Sequence, residues 1–200
     1  MTDLPAAGTT TANTAYDGEV WIGAELDEVA LESCTLTRLR GSGGTWTRTS
    51  LIGCTLEHAD LAGLITRDSS LVRCTLDGAR LTGSQWLRAR WRQVRASDLV
   101  ADSLSAHAGS WTDVTLTDAR LRELDLTDAR LTRVRFVNCD LSGARFTGLR
   151  CTEVSFSGCT LGGVVGVTAL RGATLEWTDA TSALPALAAE LGIRVRESHQ

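Results

Sequence analysis

Six cysteines and three histidines are the side chains of this 200-residue chain that could ligate a metal, form disulfides or supply a nucleophile and its base. Their spacing argues against each use. Cys34, Cys54 and Cys74 lie twenty residues apart and Cys139 and Cys159 repeat that interval, whereas metal and redox cysteines come as Cys-x-x-Cys, a pattern the chain lacks. His58, His107 and His199 are scattered, with no patterned carboxylate or cysteine beside them for general-base work. Gly41-Ser42-Gly43-Gly44 has the composition of a phosphate cradle, but no Lys follows it. No catalytic residue, metal site or cofactor is expected, and the chain reads as a non-enzyme.

What positions these residues is a five-residue period. Large apolar side chains stand at Tyr16, Trp21, Leu26, Leu31, Leu36 and every fifth residue to Phe156 and Leu161, with Gly41, Thr66, Ala96, Ala101, Ala106 and Cys151 as the exceptions. Two residues before each lies a small or medium residue, such as Ala59, Cys74, Val94 or Ala129. A helix repeats at 3.6 residues and a strand at two, so neither element accounts for the spacing. A short extended side that ends in a turn does. Gly41 and Gly44 then fall on inward positions beside Trp46, which makes them packing residues.

Four such sides close a square coil of twenty residues, and residues twenty apart stack at about 4.8 Å. The columns agree: Cys34, Cys54 and Cys74 continue as Val94, Val114, Val134 and Val154, and Trp91 falls on Trp111. Trp86, Trp91 and Trp111 surround Ala96, Ala101 and Ala106, so large rings are expected to fill the space the alanines leave.

Ala59-Asp60-Leu61-Ala62-Gly63 and Cys139-Asp140-Leu141-Ser142-Gly143 carry the motif of a known family. Ala79-Arg80-Leu81-Thr82-Gly83 and Ala144-Arg145-Phe146-Thr147-Gly148 carry it with Arg in second place. The chain resembles the pentapeptide-repeat proteins over about three-quarters of its length. That resemblance implies an all-β solenoid, a right-handed quadrilateral β-helix, over residues 16–180. Residues 1–15, small and polar, read as a disordered leader. The phase breaks near Gly162, where one residue is lost before Leu170 and Leu175.

Residues 181–193 read as a C-terminal helix, with Thr181 or Ser182 as cap, Pro185 in its first turn and Gly192 at its exit, followed by a tail over 194–200. Leu184, Leu187, Ala188 and Leu191 form its apolar stripe. The stripe either lids the solenoid or joins two copies. The resemblance favours a homodimer, because the mycobacterial fluoroquinolone-resistance member of the family dimerises through a similar segment.

The formal net charge of −4 excludes a strongly basic nucleic-acid binder, and its distribution carries more information. Twenty-residue columns place Arg40, Asp60 and Arg80, then Arg120 and Asp140, in one ladder and Glu28, Arg48, Asp68 and Arg88 in another. Acids collect on the first side, as Glu57, Asp77, Asp98 and Asp118, and on the third, as Asp68, Asp125 and Asp128 among others. Arg73, Arg90, Arg92, Arg130, Arg133 and Arg150 make the fourth side basic.

The N-terminus has no basic segment followed by an apolar one, and no run of eighteen apolar residues occurs, so a cytoplasmic protein without membrane association is expected. The resemblance implies a DNA mimic that binds DNA gyrase and modulates it or protects it from topoisomerase poisons, without itself binding nucleic acid. On that reading the seven acids Glu57, Asp77, Asp98, Asp118, Asp68, Asp125 and Asp128 form the docking surface. The alternative is a structural or protein-interaction solenoid whose Arg-rich side docks an unrelated partner.

Overall fold

The computed structural model describes residues 4–194. They form a parallel β-solenoid of about eight coils closed by one C-terminal helix. Each strand pairs in parallel with the one twenty residues on: Tyr16 opposes Leu36, Leu51 opposes Leu71, and Val114 opposes Val134. The five-residue period follows from the turn that ends each side. The corner residue, two after each large apolar one, has φ near +50 to +70° whether it is glycine, as at Gly63, or not, as at Arg88 and Asp98. The chain therefore bends after every two inward residues, and the bend costs an L-residue about 1 kcal/mol.

The four sides differ. On the first and third, three-residue strands such as Thr55–Glu57 and Thr45–Thr47 predominate, and on the second only single bridges link Arg40, Asp60 and Arg80. The fourth and first sides merge in the middle of the rod, where Arg90–Ser97, Ser110–Thr117 and Arg130–Val137 run as eight-residue strands around their shared corner.

The lumen is filled as the columns require. The Trp91 and Trp111 rings stack at 4.7 Å and 10°, Trp86 meets Trp91 edge-on at 5.5 Å, and Phe136 stacks on Phe156 at 4.9 Å. The cysteine column has a bonding role: the Cys54 and Cys74 thiols each donate to a backbone carbonyl of the coil before, Leu31 and Leu51, at 3.3 Å. The neighbouring thiol and burial raise the Cys54 pKa, and burial alone pushes Cys151 up to about 11, so these groups stay protonated. Gly44 is required by contact, because a Cβ there would stand 2.5 Å from the Ala24 carbonyl oxygen.

Both ends depart from the sequence reading. Residues 10–12 of the expected disordered leader form a strand, Thr10–Ala12, that pairs with Ala30–Glu32, because Thr9 and Thr11 continue the inward columns one coil further out. The register holds past Gly162, since Arg145 still opposes Val165. The residue is lost later, where a 3-10 turn at Val167–Leu170 replaces a strand and Phe156 comes to oppose Leu175, nineteen on. Gly166 begins that departure at φ 75°.

The terminal helix starts at Trp177, four residues before the expected cap, and ends at Glu190. Its early start brings Asp179 to the end of the rod, where its carboxylate accepts the Cys159 amide at 2.9 Å. Ser182 accepts the Leu161 amide at 3.0 Å, and the two Glu190 oxygens accept those of Val167 and Thr168 at 2.8 and 3.0 Å. The helix thus supplies acceptors to backbone donors that the last coil would otherwise leave open. Pro185 lies inside the helix instead of in its first turn; it is exposed, as is Thr181, whose carbonyl its missing N–H leaves to solvent. Gly192, at φ 72°, closes the helix as expected. His199 and all of the tail but Arg194 lie outside the described residues. No helix among them is long and apolar enough to cross a membrane.

Candidate partner-binding surface

On the first side, the position after each large apolar residue and the corner that follows it both point outward. Glu57 and Asp77 occupy the former position in successive coils, and their Cα atoms are direct partners in the parallel ladder. Asp98 and Asp118 occupy the corner in the next two coils, at φ 51° and 52°. Four coils therefore present four carboxylates at steps of about 4.8 Å. Asp77 accepts the Ser97 hydroxyl at 2.7 Å, Asp118 accepts the Asn138 amide at 3.1 Å, and Glu57 accepts the Thr37 hydroxyl at 3.4 Å. Among the described residues none of the four is in an ion pair.

The third-side acids do not join them. The first and third sides face opposite directions. Asp68 is held by two hydrogen bonds from Arg88, both 2.8 Å, which hold its carboxyl below the usual carboxylate range. Asp125, half-buried, turns back to accept the amide of Thr127 at 2.9 Å. Asp128 is exposed three coils from Asp68, with Arg88 and Ala108 at the corners between. The expected seven-residue surface thus resolves into four first-side carboxylates, in two adjacent columns of two, and three separate acids.

The charge ladders also resolve into short pairings. Arg48 reaches Glu28 and Asp27 at 2.9 and 2.7 Å, and Arg80 reaches Asp60 at 3.6 Å. Arg120 and Arg122 pair diagonally, with Asp102 at 2.8 Å and Asp140 at 2.5 Å. Side-chain length lets each guanidinium choose a diagonal partner, so a straight alternating ladder is not enforced.

The helix stripe divides between two faces. Leu187 and Ala188 are half-buried, and Leu187 packs against the core with Ala183 and Ala186, whereas Leu184 and Leu191 are 52% and 67% exposed. Trp177, 84% exposed, stands seven residues before Leu184, which stands seven before Leu191. These three share one outward stripe.

Sequence reasoning missed Arg95 and Arg135. Both are exposed on the first side, at the corner it shares with the basic fourth side, and assigning charges side by side hid them. The six cysteines are free, and no cluster of three metal-ligating side chains occurs among the described residues.

A family model described as pentapeptide repeats matches eight copies over residues 49–85 and 112–148. Among solved structures the chain is similar to a trypsin-treated, singly substituted form of QnrB1, a plasmid-mediated fluoroquinolone resistance protein. The TM-score is 0.60 and the identity 21%, over 92% of this chain and 99% of that one. Full-length QnrB1 matches at TM-score 0.34 and 16% identity, covering 90% and 99%. HetL, involved in heterocyst differentiation regulation in the cyanobacterium Nostoc, matches at 0.31 and 19%, covering 84% and 85%. No curated protein sequence matches significantly.

Proposed function

We propose that this chain, a pentapeptide-repeat solenoid, binds DNA gyrase or another type II topoisomerase in the cytoplasm as a DNA mimic, modulating the enzyme or protecting it from poisons. The role is that of a binding protein, with no chemistry of its own. The observation that carries it is the set of four first-side carboxylates on successive coils. Like charges placed directly opposite one another weaken a sheet, and here Glu57 stands on Asp77 and Asp98 precedes Asp118 at the same corner, none of them in an ion pair among the described residues. A sheet built only for stability would alternate signs there, as the third side does. Carboxylates on four successive coils along one side of a rod give a negative path of the kind a nucleic-acid backbone presents.

Two further features support the reading. No loop interrupts the coils, which keeps them in one register and likens the chain to the mycobacterial member of the family. QnrB1, whose fold this chain shares, is a fluoroquinolone resistance protein, and protection of a topoisomerase is proposed for this chain on the same ground of shape. The outward stripe of Trp177, Leu184 and Leu191 is proposed to join two copies end to end, which doubles the rod. A supercoiling assay with purified gyrase, with and without a fluoroquinolone, tests the function: inhibition of supercoiling or fewer drug-stabilised breaks supports it, and no change in either overturns it.

A further inference from the structure

The corner where the fourth and first sides meet carries a groove of about 890 Å3. One wall is the column Thr75, Arg95, Thr115, Arg135, Ser155, Thr174, two guanidinium groups set among four hydroxyls, with no acid. The other wall contributes Arg73, Gln93, Asp113, Arg133 and Glu153. Asp113 is neutralised by Arg133 through hydrogen bonds of 2.6 and 3.0 Å. Glu153 is the one acid in the groove outside an ion pair, against three such cations, Arg73, Arg95 and Arg135, among the described residues. Arg90, Arg130 and Arg150, likewise exposed and outside any ion pair, extend the positive surface across the fourth side.

Elsewhere on the rod Arg38, Arg48, Arg80, Arg88, Arg120 and Arg122 have carboxylate partners, and Arg40, Arg67 and Arg145, outside any ion pair among the described residues, lie in three different columns instead of gathering along one groove. We propose that the groove is a second docking site, which takes an extended acidic peptide segment of a partner protein along the rod axis. Guanidinium groups bind carboxylates in two-point fashion, and the intervening hydroxyls add neutral donors. Six rungs of the acid-free wall span five steps, about 24 Å, which accommodates about seven residues of extended chain.

The surroundings favour a peptide over a nucleic acid. Asp98 and Asp118 stand on the same side, three residues beyond Arg95 and Thr115, and would repel a broad polyanion. No aromatic side chain lines the groove to stack a base. A single narrow acidic strand avoids both obstacles. The site does not rest on the topoisomerase reading, because it uses cations, not the first-side carboxylates.

The test is fluorescence anisotropy with a labelled peptide of seven glutamates, at low salt, on the full chain. Wild type is expected to bind it, and to lose affinity as salt is added. The R95E/R135E variant should weaken binding at least about tenfold and R95Q/R135Q should fall between, while Arg40→Glu on the second side leaves it unchanged; unaltered circular dichroism melts establish that the variants fold. The proposal is overturned if wild type binds the glutamate peptide no better than one of seven glutamines, if R95E/R135E binds it as wild type does, or if a seven-nucleotide single strand binds more tightly than the peptide.

Discussion

The indole of Trp111 lies flat on that of Trp91, ring centres 4.7 Å apart and planes within 10°, so two successive coils share one aromatic column. Both rings are almost fully buried, and they occupy lumen that Ala96, Ala101 and Ala106 leave empty. A solenoid has no other element to close on a void at mid-length. Trp111→Ala should therefore destabilise the protein by about 3–5 kcal/mol, with Trp111→Phe costing less because it retains a ring. Chemical denaturation followed by far-ultraviolet circular dichroism measures both; a loss below about 1 kcal/mol for the alanine variant would contradict the packing account.

Ala108 holds an exposed corner at φ 53°. Relief of the left-handed strain exceeds the extra chain entropy that glycine brings to the unfolded state. Ala108→Gly is expected to stabilise by ~0.5–1 kcal/mol. A lower melting temperature than wild type would mean that these corners are not strained.

Glu190 ties the terminal helix to the rod, and the backbone amides of Thr168 and Val167 lower its pKa below the ordinary 4.5. Because the folded value is depressed, this contribution is complete above the unfolded pKa and disappears as pH falls through the folded one. Glu190→Gln should lower stability by ~0.5–1 kcal/mol at pH 7, a modest figure because the group is largely exposed. Melts of the two proteins should converge as the pH falls through the depressed folded value. A gap that is the same at pH 3 and pH 7 would show that the carboxylate charge plays no part.

The outward stripe on the helix gives a prediction for assembly. Leu184→Asp with Leu191→Asp should turn a dimer at micromolar concentration into a monomer in light scattering, without altering the solenoid, since neither side chain packs on the core. A monomeric wild type would remove the end-to-end dimer.

The columns were readable because twenty-residue spacing in sequence becomes contact in space. Cys34, Cys54 and Cys74 announced an inner ladder, and the lost residue before Leu175 announced the end of the regular register. What the spacing does not encode is how long side chains settle. The Asp68–Arg88 pair was legible from its column, whereas Arg120 bypasses its column neighbour Asp140 for Asp102, a choice the column does not reveal. The helix start was hidden for a related reason. Asp179 is placed by the Cys159 amide it must reach, a tertiary bond no local cap signal reports. The groove at the merged corner emerged only with the eight-residue strands that join two sides.

The central claim is that the first-side carboxylates are what a topoisomerase recognises. Its most direct measurement is inhibition of gyrase supercoiling by wild type and by the charge reversal Asp98→Arg with Asp118→Arg, in parallel with melts to establish folding. The account predicts inhibition by wild type and at least an about tenfold loss in the double variant, equivalent to ~1.4 kcal/mol or more of binding. A folded double variant that inhibits as well as wild type would contradict it.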